Sequence, residues 1–179
     1  MQHIEEKAQR VKLLVLDMDG VMTDGRIVLS DNGEVQRNFS VYDGQGIIWL
    51  QQTGVQVAVI TTCNSEVVPL RMKMLGVEHV YKGQRDKQPA YDELLNKLKF
   101  SEEETAYVGD DIPDLPLITR AGLGVTVPAA IPEIKAVADY CTVRHGGHGA
   151  VREVCELLMK AQGTFNNILA DFRARSRNA

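Results

Sequence analysis

The sequence of 179 residues contains little cysteine and no long hydrophobic run. Its three cysteines, Cys63, Cys141 and Cys155, are an odd number without a Cys-x-x-Cys spacing. This argues against a disulfide framework or a structural zinc site and fits a reducing cytoplasm. No stretch reaches the roughly 18 apolar residues of a membrane span. The polar segment 1–12 has mixed charge and does not resemble a signal peptide. We therefore expect a cytoplasmic protein.

The sequence also lacks an excess of basic residues. Lys and Arg number 20 against 24 Asp and Glu, and the formal net charge is −4. This balance argues against nucleic acid or an anionic membrane surface as the main partner. Hydrophobic residues make up 44% and charged residues 25%, as in an ordinary globular protein. With no internal repeat, low-complexity segment or linker, we expect one domain over residues 1–179, with flexible ends at 1–10 and 164–179.

Strand-like and helix-like segments alternate along the chain. The apolar run at 13–16 does not alternate with polar residues, which is typical of a strand buried on both faces of a parallel sheet. Further strands are predicted around 56–62, 80–81, 105–111, 123–127 and 138–143, and helices over 43–54, 65–76, 87–100, 114–122, 131–138 and 149–163. The tail at 165–179 is expected to be a frayed helix or disordered. This alternation predicts right-handed crossovers and a doubly wound parallel α/β sheet.

Glycine marks a predicted turn and the predicted helix ends at Gly54, Gly76 and Gly122. Residues 26–40 contain Asp31-Asn32-Gly33 between two strand-like runs, and Asn-Gly in that setting predicts a β-hairpin after the first strand. Gly122 is expected to cap the helix at 114–122.

Polar residues that suit one kind of chemistry follow four of the predicted strands. Asp17-x-Asp19-Gly20 follows the first, Thr61-Thr62 the second, Lys87 the third, and Gly109-Asp110-Asp111-x-x-Asp114 the fourth. The carboxyl ends of parallel strands meet at one edge of the sheet, where ligands bind in open α/β folds. We therefore expect these four motifs to converge there.

This convergence would bring three carboxylates together, with two more nearby. The three are Asp17, Asp19 and Asp110, and the others are Asp111 and Asp114. Without a compensating charge they would repel one another or take up protons. Mg²⁺ prefers oxygen ligands and is typically held by a few carboxylates together with substrate phosphate.

The remaining motif residues suit a phosphate anion. Lys87 can neutralise it, Thr61 can donate its hydroxyl, and the backbone N–H groups after Asp17 can cradle it. Together with the acidic cluster, these parts predict a phosphoryl-transfer site.

The motifs DMDGVMTDG, Thr61-Thr62, Lys87 and GDDIPD occur in an order that resembles the aspartate-nucleophile phosphatases of the haloacid dehalogenase superfamily. The stretches VLSDNGEVQRNFSVYDGQGI and RHGGHGAVREVCELLMKAQG narrow the resemblance to the 3-deoxy-D-manno-octulosonate 8-phosphate phosphatases. This resemblance implies a haloacid dehalogenase-like (Rossmannoid) fold. It also implies Mg²⁺-dependent hydrolysis of that sugar phosphate, in the lipopolysaccharide precursor pathway.

The resemblance further implies a role for each matching residue. Asp17 would attack phosphorus and become a transient aspartyl-phosphate. Asp19 would act as general acid toward the leaving sugar oxygen and then as base toward the hydrolytic water. Thr61 and Lys87 would hold the transferred phosphoryl group.

The metal ligands follow from the same resemblance. Mg²⁺ would be bound by the side chains of Asp17 and Asp110 and by the backbone carbonyl of Asp19. Asp111 and Asp114 would support this set of ligands.

The substrate contacts are implied less completely. The second motif of relatives usually continues as Thr-Gly-Arg, whereas this sequence has Thr61-Thr62-Cys63, which weakens the case for substrate contacts from this loop. Thr62 is still expected to bind substrate, and Arg71 matches a position where relatives also carry arginine. Gly146 and Gly147 are expected to form an anion-binding loop close to the site.

The sequence has no room for a folded cap domain at the usual insertion points. Residues 26–40 allow only a hairpin, and a helix and a strand occupy 63–86. A site without a cap would be open to water. The resemblance implies homotetramers in which hairpins pack together and neighbouring subunits cover the active sites. Such packing would bury the apolar hairpin residues Ile27, Leu29, Val35 and Phe39.

Two alternatives stay open. One is a phosphatase for a nine-carbon sialic-acid-type 9-phosphate, with the same fold and chemistry but different pocket contacts. The other is a non-catalytic assembly module, related to domains that are fused to sugar-nucleotide synthetases. The second alternative predicts loss of a catalytic residue, yet Asp17, Asp19, Lys87 and Asp110 are all present.

Overall fold

The computed structural model describes residues 2–33 and 35–175. The helices are α1 Gln2–Arg10, α2 Val41–Gln52, α3 Val67–Met74, α4 Gln88–Leu98, α5 Leu115–Arg120, α6 Pro132–Val137, α7 Ala150–Ala161 and α8 Phe165–Arg175. The strands are β1 Leu13–Leu16, β2 Val28–Leu29, β3 Val35–Gln36, β4 Gln56–Ile60, β5 His79–Tyr81, β6 Thr105–Val108, β7 Leu123–Thr126 and β8 Tyr140–Cys141.

Six of the strands form one sheet in which all neighbouring strands are parallel. The order is β5-β4-β1-β6-β7-β8, so β1 lies inside the sheet, with Leu14 paired with Val57 on one side and Ala106 on the other. From β1 the chain proceeds outward to β5, crosses back to β6 and proceeds outward to β8. This confirms the doubly wound sheet, whose reversal point lies beside the carboxyl ends of β1 and β6.

Helices cover both faces of the sheet. Leu14 and Leu16 belong to one core cluster with residues of α1, α2, α3, α7 and α8, whereas Leu13 and Val15 belong to a second cluster with α4, α5 and α6. All four leucine and valine side chains of β1 are fully buried, as expected for a strand without polar alternation. Packing on both faces therefore fixes the position of the residues that follow β1.

The predicted hairpin is present between β1 and α2. β2 and β3 pair antiparallel, with Val28 opposite Gln36 and Leu29 opposite Val35. Its turn contains Gly33 at φ +82°, a conformation that favours glycine. The described residues between β1 and α2 contain no other strand or helix, and 61–87 contain only α3 and β5. This agrees with the prediction that neither segment holds a folded cap domain.

The sequence predicts flexible ends and leaves a frayed helix open for the tail, and the described residues at the two ends form the helices α1 and α8. α1 buries Ala8 and α8 buries Ile168 in the same core cluster. Ile4 of α1 and Phe165 of α8 are partly buried against that cluster, so the apolar contacts that hold the two helices form only in the tertiary packing. Residue 1 and residues 176–179, which the same prediction covers, lie outside the described residues.

The prediction that Gly122 caps α5 is wrong. The capping position is taken by Ala121, which is extended at φ −62° and ψ 146°, and Gly122 does not have a positive φ. Glycine is required there for another reason, because a Cβ would collide with the backbone carbonyl of Glu103.

A helix fit to span a membrane is not found among the described residues, in which the longest helices, α2 and α7, have 12 residues each.

Candidate active site

The first and fourth sequence motifs meet at the carboxyl edge of the sheet. Asp17 directly follows β1, and its N–H donates to the carbonyl of Val108 at 2.9 Å, which continues the pairing of β1 with β6. Asp110 and Asp114 lie in the segment after β6. Asp17, Asp110 and Asp114 can each place a carboxylate oxygen within 4.8 Å of the other two. We call these three residues the acidic cluster.

Lys87 brings the third motif into the acidic cluster. It immediately precedes α4, and only 2% of the residue is exposed. Its Nζ lies 2.7 Å from Oδ1 of Asp17 and 2.6 Å from Oδ1 of Asp114. Burial alone would lower the pKa of Lys87, but the two carboxylates outweigh it and the pKa is raised. The lysine is therefore a cation between two carboxylates.

Asp114 is the most fully bonded member of the acidic cluster. Besides the ammonium of Lys87, its Oδ1 accepts a hydrogen bond from the hydroxyl of Tyr107 at 2.6 Å. Its Oδ2 accepts from the backbone N–H groups of Asp110 at 3.0 Å and Asp111 at 3.2 Å. Asp114 thereby ties the strand β6, the loop after it and Lys87 together.

Asp111 has a local role at the start of the next turn. Its side chain is exposed and accepts from the N–H of Ile112 at 2.8 Å, capping a short 3₁₀ turn that ends at Asp114. The turn sets the position of Asp114, so Asp111 acts on the acidic cluster through the backbone.

The acidic cluster is short of positive charge. Burial raises the pKa of Asp17 to about 7, and the charge of Asp114 adds to the rise, whereas Lys87 opposes it. Burial also raises the pKa of Asp110 to about 7, with added contributions from Asp114 and Asp111. Crowded carboxylates of this kind favour a hard divalent cation with oxygen ligands. The donor set therefore fits the Mg²⁺ that the sequence predicts.

Asp19 is held by a different cation. Nε of Arg37 donates to Oδ1 of Asp19 at 2.7 Å, and Nη2 donates to Oδ2 at 3.2 Å. Arg37 directly follows β3 of the hairpin, and 5% of its side chain is exposed. Arg37 could not be identified from the sequence, because a lone arginine in a hairpin belongs to no motif and its partner lies 18 residues away.

Tyr107 is a second residue that sequence reasoning misses. It lies within β6 among apolar neighbours and is fully buried, so its pattern is that of a core residue. A polar hydroxyl two residues before Gly109-Asp110 is the only available signal, since buried tyrosines usually have a hydrogen-bond partner.

The second motif follows β4. Thr61 is buried, and its Oγ1 accepts from the N–H of Cys63 at 3.0 Å, which leaves its hydroxyl proton available for donation. Thr62 is exposed. Cys63 is buried, 8% exposed, and does not replace the missing charge of an arginine.

Arg71 contacts the start of α2. Its guanidinium carbon lies 5.5 Å from the ring centroid of Phe39, and its Nη2 donates to the carbonyl of Ser40 at 3.4 Å. No contact recorded for the described residues joins Arg71 to the acidic cluster. Its substrate-binding role stays a prediction.

Gly146 and Gly147 pack against the loop that follows β1. A Cβ at Gly146 would collide with the carbonyl oxygen of Gly20, and the N–H of Gly147 donates to the carbonyl of Val21 at 3.1 Å. Gly147 has φ +70°. These close approaches require glycine, and they bring the segment 144–149 to the edge of the site.

A cleft of about 460 Å³ opens between the loop after β1, the segment 144–149 and the end of β6. It is lined by Gly20, Asp24, Gly25, Arg26, Asp110, Ala129, His145, Gly146 and His148. Because Asp110 belongs to the acidic cluster, the cleft joins the candidate metal site to a space large enough for a small ligand.

Comparison with known proteins shows close relatives. A family model described as haloacid dehalogenase-like hydrolase matches residues 61–154. The 3-deoxy-D-manno-octulosonate 8-phosphate phosphatase KdsC of Salmonella typhi is 45% identical over 161 residues, which cover 90% of this chain and 86% of the relative. KdsC of Escherichia coli K12 is 46% identical over 157 residues, 88% of this chain and 84% of the relative.

A solved structure is also similar. The crystal structure of 3-deoxy-D-manno-octulosonate 8-phosphate phosphatase from Moraxella catarrhalis, in complex with magnesium ion, phosphate ion and KDO, aligns with a TM-score of 0.94. It is 43% identical, and the alignment covers 96% of this chain and 99% of that one.

Proposed function

Because this chain belongs to the haloacid dehalogenase-like hydrolases, we propose that it is a Mg²⁺-dependent phosphatase acting on 3-deoxy-D-manno-octulosonate 8-phosphate. The products are the free sugar acid and phosphate. The observation that carries this proposal is the acidic cluster with Lys87 inside it, at the reversal point of the sheet. The relatives named for this activity share 43 to 46% of their residues with the chain over most of its length.

Asp17 is the nucleophile of the first step. A carboxylate oxygen of Asp17 attacks phosphorus, and the bond between phosphorus and the sugar oxygen breaks. Asp19 donates a proton to that oxygen as the sugar leaves. Lys87, 2.7 Å from Asp17, favours the ionised carboxylate that this attack requires.

Water completes the reaction in the second step. Asp19, now ionised, takes a proton from a water molecule whose oxygen attacks phosphorus. The bond between phosphorus and Asp17 breaks, so phosphate leaves and the carboxylate is regenerated. One residue thus serves as acid and then as base.

Asp17 and Asp110 would hold Mg²⁺ with their side chains, together with the backbone carbonyl of Asp19. Asp111 and Asp114 would support these ligands. When bound, the cation neutralises charge on the phosphoryl oxygens. Thr61 donates its hydroxyl to the phosphoryl group and Lys87 adds its charge.

The test is phosphate release from the sugar phosphate with Mg²⁺ present. We expect Asp17→Asn to abolish release while the melting temperature stays near that of the wild type, because the amide keeps the shape of the side chain and removes the nucleophile. Asp171→Asn, on the exposed face of α8, is the matched control and should keep full activity. Activity of Asp17→Asn comparable to wild type would refute the nucleophile.

A comparison of substrate preference distinguishes the proposed substrate from the alternative nine-carbon 9-phosphate. Wild-type kcat/KM should be higher for 3-deoxy-D-manno-octulosonate 8-phosphate than for a sialic-acid-type 9-phosphate. The opposite order would transfer the proposal to the nine-carbon substrate while leaving the chemistry unchanged.

The proposal includes a homotetramer in the cytoplasm. Four apolar side chains of the hairpin are exposed in the monomer, at 53% for Ile27, 51% for Val28, 69% for Leu29 and 43% for Val35. Contiguous exposed apolar residues of this kind support an interface between subunits. Phe39, also named in the sequence prediction, is instead partly buried against the core.

A further inference from the structure

The guanidinium of Arg37 is buried where the hairpin meets the loop after β1. Its Nε and Nη2 bind the two carboxylate oxygens of Asp19, so one edge of the guanidinium is fully used. This bidentate geometry fixes the direction of the carboxylate as well as its distance. The Asp19 side chain is 30% exposed, whereas that of Arg37 is 5% exposed.

The other edge of the same guanidinium carries an unpaired donor. Nη1 of Arg37 is buried and has no hydrogen-bond partner among the described residues. A guanidinium has five N–H donors, and leaving a buried charged donor unmet is costly. An unmet donor beside a reacting carboxylate indicates a ligand atom that completes its bonding.

Arg37 is a second buried cation among the residues that contact the sequence motifs. Lys87 is already occupied by Asp17 and Asp114. The loop after β4, where Cys63 is an electrostatic neighbour of Arg37, carries no charge over residues 61–64. The buried guanidinium of the hairpin can therefore supply a charge for a phosphate dianion that the second motif lacks.

We propose that Arg37 is a catalytic residue that aligns Asp19 with one edge of its guanidinium and binds a phosphoryl oxygen of the substrate through Nη1. This rests on the proposed phosphatase function. The hairpin thus supplies part of the reaction centre itself, and the proton donor and the phosphoryl group are held by one rigid cation. Arginine suits this double role because its planar fork can bind two acceptors in fixed directions.

The experiment compares Arg37→Met, Arg37→Lys and wild type on two phosphate esters. 3-Deoxy-D-manno-octulosonate 8-phosphate has a poor alkoxide leaving group that needs the proton from Asp19. p-Nitrophenyl phosphate has a good leaving group that does not. We expect Arg37→Met to lower kcat on the sugar phosphate at least about tenfold more than kcat on the aryl ester.

Inorganic phosphate is the probe of the second contact. We expect its inhibition constant to rise roughly tenfold or more in Arg37→Met, since a hydrogen bond to a charged group is lost. Arg37→Lys should recover part of the phosphate affinity through its charge but little of the sugar-phosphate kcat, because an ammonium cannot align Asp19 bidentately. Arg10→Ala removes an exposed arginine of α1 as a charge control and should change neither quantity.

A merely structural role for Arg37 gives a different pattern. Both esters would then lose activity equally, and the phosphate inhibition constant would not change. Either result, in variants whose circular dichroism matches wild type, overturns the proposal. Should Arg37→Met not fold, Arg37→Lys alone still decides, because the structural role predicts equal losses for it too.

The same data separate this inference from the proposed function. If the wild type hydrolyses the aryl ester but not the octulosonate ester, the substrate proposal fails. A simple alkyl phosphate that the enzyme does accept then replaces it as the ester with a poor leaving group, and the role of Arg37 is tested unchanged.

Discussion

Asp114 shows how a residue without a reacting atom can control the site. Its two carboxylate oxygens accept from Lys87, from the hydroxyl of Tyr107 and from two backbone N–H groups. All four donors are at or beside the acidic cluster, and Asp114 is 1% exposed. Loss of its charge would therefore leave buried donors unmet and would shift the balance between Lys87 and Asp17.

We expect Asp114→Asn to lower kcat by about 10- to 100-fold and to weaken Mg²⁺ dependence of activity to a similar degree. The amide keeps the shape but presents an NH₂ group toward one set of donors. Steady-state kinetics over a Mg²⁺ titration is the measurement. Tyr107→Phe removes only one of the four donors and is the graded control, with a smaller loss. Wild-type kinetics in Asp114→Asn would contradict this account.

Asp17 and Asp110 predict how pH acts on the protein in a chelator. Burial and neighbouring carboxylates raise the pKa of each from 3.8 to about 7 in the folded state. Between those values the folded protein binds more protons than the unfolded chain, so its free energy of unfolding falls as pH rises. Through these two groups, we expect the melting temperature to decrease as pH rises to about 7 and to stay level above that pH.

Mg²⁺ should reverse this trend, because the cation competes with protons for the same carboxylates. The rise in melting temperature caused by Mg²⁺ should be larger at about pH 8 than at about pH 6, as measured by calorimetry. Asp110→Asn removes one of the two groups and should flatten both curves. An equal effect of Mg²⁺ at the two pH values would count against the assignment.

The position of a site residue along the chain decides whether the sequence can predict it. Asp17, Thr61 and Lys87 directly follow strands or precede a helix, so chain order and the parallel sheet suffice to bring them together. Arg37 and Tyr107 could not be found this way. The contact of Arg37 depends on how the hairpin folds back, and that of Tyr107 depends on the turn after β6 that brings Asp114 to its hydroxyl, and neither has a local signal.

At the scale of elements, α2 holds the start of α7. Gly149 occupies the N-cap of α7 and offers no side chain. The carboxylate of Asp43 in α2 takes that place, accepting from the N–H of Gly149 at 3.2 Å and of Arg152 at 2.7 Å. Asp43 is 1% exposed, so burial raises its pKa, and these hydrogen bonds oppose the rise. The segment 144–149, which lines the cleft, enters α7 through this contact.

Asp43→Ala should lower the free energy of unfolding by about 1–2 kcal/mol, the usual effect of removing an N-cap. It should also raise KM for the sugar phosphate more than it lowers kcat, because the cleft wall loosens while the acidic cluster stays intact. Denaturant unfolding and kinetics measure the two effects. Asp31→Ala, an exposed residue of the hairpin turn, is the matched control. A change in stability without a change in KM would limit Asp43 to folding.

Element prediction succeeds where pattern is strong and local. The apolar run of β1 and the Asn-Gly turn of the hairpin are short-range signals that packing reinforces. The sequence predicts flexible ends and leaves a frayed helix open for 165–179, and in the structure Ala8 of α1 and Ile168 of α8 pack into the core beside α7. A single buried residue per helix is below what hydrophobic periodicity detects.

For the whole molecule, strand alternation predicts the parallel sheet but not the order of its strands. The order depends on the crossover from β5 back to β6, which passes through α4 and places Lys87 between Asp17 and Asp114. Right-handed crossovers restrict the possible topologies, and the four motifs at one sheet edge select among them. The hairpin has only two short strands, and its apolar residues Ile27 and Leu29 are exposed.

We therefore predict that the hairpin forms the interface between subunits. Ile27→Asp combined with Leu29→Asp places two charges on side chains that are 53% and 69% exposed in the monomer, so the monomer itself should fold with an unchanged melting profile. We expect light scattering to show a homotetramer for the wild type and a monomer for the double variant, because buried charges without partners oppose association. The kcat/KM for the sugar phosphate should fall about tenfold or more, since the uncovered site admits water and loses part of its substrate contacts.

Val137→Asp, at an apolar position of α6 that is 42% exposed, is the control and should keep the tetramer and its activity. A monomeric double variant with full turnover would show that assembly and catalysis are independent, and a double variant that remains tetrameric would place the interface elsewhere.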